Sequence, residues 1–118
     1  MKESEYSRKV TDYLKSRGAE TFNYLGSTFT RTGTPDLLVN YRGVFVALEL
    51  KVGKNKPSAI QKYTVNLLNS EGAYVVVPYD TLEPVKELLD AVDSRLDALG
   101  VDMINDNPER FKYNGKTK

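Results

Sequence analysis

Apolar positions along this chain change period several times, and each change marks an element. Tyr6, Val10, Tyr13 and Leu14 recur at helical spacing and predict a helix over 3–17, closed by Gly18. Thr21 to Thr32 is rich in Thr, Phe and Tyr and predicts an irregular strand, bulged at Gly26. Pro35 lacks an N–H and suits the first residue of a strand, here Asp36 to Val39, followed by a hairpin turn at Tyr41-Arg42-Gly43. Val44 to Val52 is continuously apolar until Glu49, as a strand buried on both faces should be. A polar loop from Gly53 to Lys56 leads to Pro57, which suits the first turn of a second helix. Its buried stripe is expected at Ile60, Thr64, Leu67 and Leu68, and Gly72 ends it.

Ala73 to Pro78 reads as another buried strand. Strand, helix and strand at this spacing form a right-handed unit with parallel strands. Asp80-Thr81-Leu82-Glu83 has the pattern of a capping box. The stripe Leu82, Val85, Leu88, Leu89, Val92, Leu96 and Leu99 predicts a long last helix ended by Gly100. After about residue 101 the tail is expected to be peripheral, frayed beyond Tyr113. With no repeat and no linker, 1–118 is expected to be a single α/β domain: helix, three strands, helix, strand, helix around a mixed central sheet.

Composition narrows the chemistry. The chain has neither Cys nor His. That removes thiolate catalysis, Ser-His-Asp hydrolysis and His- or Cys-ligated zinc. Carboxylates, Lys, Tyr, Ser, Thr and an oxygen-ligated metal remain. The net charge of +1 is uninformative, but Arg42 to Lys62 carries five bases against one acid. Asp80 to Asp102 carries seven acids against two bases and reads as a solvated helix face. A phosphate backbone would favour the basic segment. No apolar run reaches membrane-span length and no signal peptide opens the chain, so the expected location is intracellular, in the cytoplasm.

The basic segment adjoins the stretch that carries the candidate chemistry. Asp36 lies at the end of one predicted strand; Glu49 and Lys51 lie on one face of the next. Charges at the end of an apolar strand require a partner or a metal, and a carboxylate from each of two neighbouring strands suits a hard cation. A surface ion pair on an edge strand is the alternative. Arg31, in the turn before Gly33, would bring a cation close to Asp36. Gln61, in the first turn of the second helix, could reach back to the same place. Glu3 shares the apolar face of the first helix, with Glu5 about 100° around; either also suits a helix N-terminus.

The run Gly33-Thr34-Pro35-Asp36-Leu37-Leu38, then Glu49-Leu50-Lys51, then Gln61, then Glu71-Gly72-Ala73-Tyr74-Val75-Val76-Val77 resembles the VRR-NUC (virus-type replication-repair nuclease) family of the PD-(D/E)xK superfamily. The likeness covers about residues 3 to 79. It implies a restriction-endonuclease-like core and a Mg²⁺- or Mn²⁺-dependent DNA endonuclease. Asp36 and Glu49 become metal ligands, with the Leu50 carbonyl assisting. Lys51 would orient or deprotonate the attacking water and offset charge. Gln61 would support the site or touch the scissile strand. The family's helical Glu points to Glu3 over Glu5. Ser7, where the family often has Gln or Glu, is a departure. With Arg31, Lys54, Lys56 and Lys62 as DNA contacts, the expected activity is structure-specific cleavage of branched or four-way-junction DNA in replication, repair or recombination. A phage or other viral origin would place it in the host cell. A sequence-specific restriction-type enzyme and a non-catalytic DNA-binding module are the alternatives. Tyr24, Phe29, Phe111 and Tyr113 suggest a homodimer interface.

Overall fold

The structure, a computed structural model, describes residues 1–23, 35–100 and 107–113. Its elements are α1 (Glu3–Ser16), β1 (Glu20–Asn23), β2 (Leu37–Tyr41), β3 (Val44–Leu48), α2 (Ala59–Ser70), β4 (Tyr74–Val76) and α3 (Glu83–Leu99), with a short 3-10 turn at Pro108–Phe111. The strands form one mixed sheet in the order β1-β2-β3-β4. The first two pairings are antiparallel and β3–β4 is parallel. This is the expected α/β architecture, with the central strand flanked on both sides.

The turn between β2 and β3 is tighter than expected. Strand β2 runs on to Tyr41, which pairs with Val44, leaving a two-residue connection. Arg42 and Gly43 both have positive φ, 53° and 84°. That is the conformation a twisted two-residue hairpin needs.

Side-chain alternation sorts the sheet into two faces. Leu37, Val39, Tyr41, Val46, Leu48 and Leu50 point one way and pack with Tyr6, Val10 and Leu14 of α1 and Val85, Leu89, Val92 and Leu96 of α3. Each such fully buried aliphatic stabilises the fold by about 1.5–3 kcal/mol. Phe45, Ala47 and Glu49 point the other way, towards α2, whose Thr64 is buried. The result is three layers: α1 and α3, the sheet, then α2.

Several local expectations fail for identifiable reasons. Pro57 precedes α2 rather than entering it. Ser58 is the N-cap, its hydroxyl accepting from the Gln61 N–H while the Gln61 side chain accepts from the Ser58 N–H. Ile60 is 45% exposed, because α2 covers only part of its sheet face. Asp80 makes no capping box; Leu82 is the N-cap of α3 without a side-chain bond, and the Asp80 carboxylate is spent on Gly53 instead. Leu99 is exposed at the end of its stripe. The irregular strand is described only as Glu20–Asn23; residues 24–32 lie outside the described residues.

Helix α3 is not merely a solvated acidic face. Asp93 receives Arg42 at 2.8 Å, Arg17 at 3.0 Å and the Tyr41 hydroxyl at 3.0 Å. Burial alone would raise the Asp93 pKa, but hydrogen bonds from Arg42, Tyr41 and Arg17 hold it below the usual carboxylate range. The network ties α1, the hairpin turn and α3 together. It also places Arg42 at the hairpin end of β3, so this base does not belong to the charged surface around Glu49. At the other sheet edge, Asn69 of α2 accepts from the Val75 N–H at 3.0 Å and donates to its carbonyl at 2.9 Å. Those groups face away from β3, so Asn69 closes the open edge of β4.

Candidate active site

Register brings the two strand-end carboxylates together. Leu37 of β2 pairs with Leu48 of β3. One residue beyond on each strand, Asp36 and Glu49 therefore stand opposite one another at the same end of the sheet. The Leu50 N–H donates to Asp36 Oδ2 at 3.2 Å, fixing that carboxylate across the strands. Past Leu48 the chain stays extended: the Glu49 N–H bonds the Val76 carbonyl and the Lys51 N–H bonds the Pro78 carbonyl, each at 3.1 Å. Glu49 and Lys51 are thus rooted in the central parallel ladder. The alternative of a surface pair on an edge strand is excluded by this position.

Glu49 is 1% exposed. Its Oε2 accepts from Lys51 Nζ at 3.1 Å and from Gln61 Nε2 at 2.8 Å. Its Oε1 is buried with no hydrogen-bond partner among the described residues. Buried carboxylate oxygens without donors are rare and costly. Burial pushes the Glu49 pKa up, the neighbouring Asp36 charge adds to the rise, and Lys51 opposes it without cancelling it.

Gln61 does two jobs with one amide. Its oxygen takes the Ser58 N–H at 2.8 Å in the capping box, and that fixes its nitrogen on Glu49. The cap that starts α2 therefore also aims a donor at the site. The Lys51 carbonyl, in turn, accepts from the Asp80 N–H at 3.3 Å.

The remaining predicted residues divide. Lys54, Lys56 and Lys62 are exposed on the loop and first turns that follow Lys51. Arg31 lies outside the described residues. Glu3 is exposed in the first turn of α1. Among the described residues no group of three or more acids gathers into a metal cluster, so Glu3 does not join Asp36 and Glu49 in one. The start of α1 does lie at the site's end of the sheet, because the Tyr6 hydroxyl donates to the Thr81 carbonyl at 2.7 Å, next to Asp80. Glu3 stands one turn before Tyr6, close to it in helix phase but exposed to solvent. Glu5 lines a shallow outward depression with Arg8, Lys9 and Asp12. Sequence reasoning missed Asp80, whose capping-box pattern hid its contact with Gly53.

Two carboxylates of adjacent strands, one with an orphaned buried oxygen, fit a hard divalent cation such as Mg²⁺ or Mn²⁺. Asp36 and Glu49 are the two oxygen donors that the strand register brings together for it. No helix among the described residues is long and apolar enough to cross a membrane.

No family model and no curated protein matches this sequence. Solved structures do. A VRR_NUC domain is similar to it at 27% identity and a TM-score of 0.62, over 75% of this chain and 94% of that one. Hjc of Archaeoglobus fulgidus, a Holliday junction resolvase from an archaeal hyperthermophile, matches at 19% identity and a TM-score of 0.51, over 64% of this chain and 66% of that one. The chain has a VRR-NUC-type nuclease fold, with the restriction-endonuclease-like arrangement of a mixed four-stranded sheet and three helices.

Proposed function

We propose that this protein is a Mg²⁺- or Mn²⁺-dependent endonuclease that cleaves branched DNA, four-way junctions foremost. The observation that carries the proposal is the buried Glu49 carboxylate, its Oε1 without a donor, standing opposite Asp36. In this reading Asp36, Glu49 and the Leu50 carbonyl hold the cation. When bound, the ion neutralises a phosphate oxygen and makes water a better nucleophile near neutral pH.

The chain's own groups do the rest. The Leu50 N–H and Gln61 fix the two carboxylates, so little reorganisation is needed on binding. The Lys51 ammonium is held beside Glu49 and donates to the attacking water and to the oxygens on which charge builds. Lys54, Lys56 and Lys62, with Arg31, contact phosphates flanking the cut. Glu3 is favoured over Glu5 as the helical carboxylate, because its helix phase is that of Tyr6.

The branched substrate draws on the resolvase neighbour and on size: one small domain reads DNA shape through the backbone more readily than a long sequence. A symmetric homodimer would set two such sites at a fixed separation, matching two related strands. Its support is an uncovered apolar surface. Phe22 and Phe45 stand exposed on the α2 side of the sheet, and Ile60 and Tyr63 are exposed on α2. Asn69 lies at the β4 edge, so the opposite flank of α2, with Ile60, faces the uncovered strands. Phe111 and Tyr113 are also exposed, whereas Tyr24 and Phe29 lie outside the described residues. A role in replication, repair or recombination inside a cell completes the reading.

The test is a cleavage panel of single-stranded, duplex, flap and four-way-junction DNA with Mg²⁺, Mn²⁺ or EDTA. Cleavage is expected with either metal, greatest on the junction, and lost in Glu49→Ala and Asp36→Ala. Undiminished cutting in EDTA would overturn the metal role; equal cutting of junction and matched duplex would remove the junction preference.

A further inference from the structure

Asp80 stands out as a strained residue that the catalytic reading does not use. Its φ is +54°, a left-handed conformation that Asp tolerates better than most residues but that still needs compensation. Both carboxylate oxygens accept from the Gly53 N–H at 3.1 Å. The Asp80 N–H donates to the Lys51 carbonyl at 3.3 Å. Residue 80 thus grips the chain on both sides of Val52.

The gripped segment is the one that leads from Lys51 into the basic loop. Gly53 has a φ of +58°, and space around it is open, so the turn uses glycine for its backbone conformation rather than for a close contact. The Asn55 N–H then bonds the Val52 carbonyl at 3.2 Å, closing a tight turn on which Lys54 is exposed, with Lys56 exposed just beyond it. Asp80 itself is backed by α1 through the Tyr6–Thr81 bond. A carboxylate next to exposed lysines would be expected to compete with phosphate for them. Here its oxygens are turned onto a backbone amide instead.

We propose that Asp80 is a positioning residue: by clamping Gly53 it holds Lys54 and Lys56 in fixed placement relative to Lys51, so that flanking phosphates and the scissile phosphate are engaged together. The DNA part rests on the nuclease reading above; the clamp itself does not.

The test compares wild type with Asp80→Gly and Asp80→Asn. Glycine keeps the left-handed backbone and deletes the clamp; asparagine keeps the backbone preference and one accepting oxygen. Amide exchange read by NMR at Gly53 and Asn55 is expected to quicken by about tenfold or more in Asp80→Gly, with Asp80→Asn close to wild type. Binding to a labelled four-way junction, in EDTA, is expected to weaken in Asp80→Gly, with a salt slope lower by about one to two. Made on top of Lys54→Ala/Lys56→Ala, the same change should have no further effect on affinity. Unchanged exchange overturns the clamp. Additive losses of affinity overturn the positioning role, even with the exchange altered. If wild type binds no DNA at low salt, the nuclease reading falls and with it the DNA role of Asp80, while exchange still decides whether the clamp exists.

Discussion

Replacing Glu49 by Gln should make the metal-free protein more stable while abolishing its metal response. Glu49 is buried, one of its oxygens has no donor, and its pKa is raised by burial and then by Asp36. An uncompensated buried polar atom costs about 1–3 kcal/mol, more when charged. The amide would keep an acceptor for Gln61 and Lys51 and could turn its N–H₂ towards Asp36. It forfeits the ion pair with Lys51, which offsets part of the gain. The net expectation is about 1–2 kcal/mol at neutral pH in EDTA, or a rise in Tm of about 3–8 °C for a chain of this size. The sign of the pH dependence follows from the raised pKa. Between the unfolded value of about 4.3 and the higher folded one, the native state binds more protons than the unfolded state, so Glu49's contribution falls as pH rises. The Tm advantage of Glu49→Gln should therefore be small in acid and grow towards neutrality. Added Mn²⁺ at about 100 times its Kd should raise wild-type stability by about 2.7 kcal/mol, and the variant's much less. Thermal melts across pH, with and without Mn²⁺, measure all three. A lower Tm for Glu49→Gln in EDTA at neutral pH would refute the account of Glu49 as a destabilised ligand waiting for a cation.

Lys51→Ala should lower kcat by about 10²-fold or more with a small change in junction Kd, as a group acting in the transition state requires; a loss confined to Kd would make it a phosphate contact. Gln61→Glu should keep the capping box and the melting temperature of α2's fold better than Gln61→Ala, yet abolish cleavage, because it sets a carboxylate against Glu49; retained activity would break the link between cap and site. Asp93→Asn should cost about 1–2 kcal/mol in urea melts at neutral pH. Since the folded Asp93 pKa is lowered, its contribution is present above the unfolded value and is lost as pH falls through the folded one, so the two proteins should converge in acid. Sedimentation at micromolar concentration should give a dimer, with Phe45→Lys shifting it to monomer; a monomeric wild type would remove the symmetric two-site arrangement.

Much of this protein follows from its sequence because the governing signals are local. Helical spacing marked α1 and α3, the apolar run from Val44 marked the central strand, and the crossover length fixed parallel β3 and β4. Alternation along β3 put Glu49 and Lys51 on one face, and the residue types limited any chemistry to oxygen ligands and amines. Tertiary structure decided what depends on distant partners. Pairing of Leu37 with Leu48 set Asp36 opposite Glu49, and only strand register can do that. Incomplete cover by α2 left Ile60 in solvent although its spacing suits a core position. Arg42 and Asp93 are distant in sequence, so no window along the chain could show that the acidic helix neutralises a base counted with the DNA-binding segment. Asp80 carried a capping pattern, but the Gly53 amide, brought alongside by the parallel ladder, competed for its carboxylate and won.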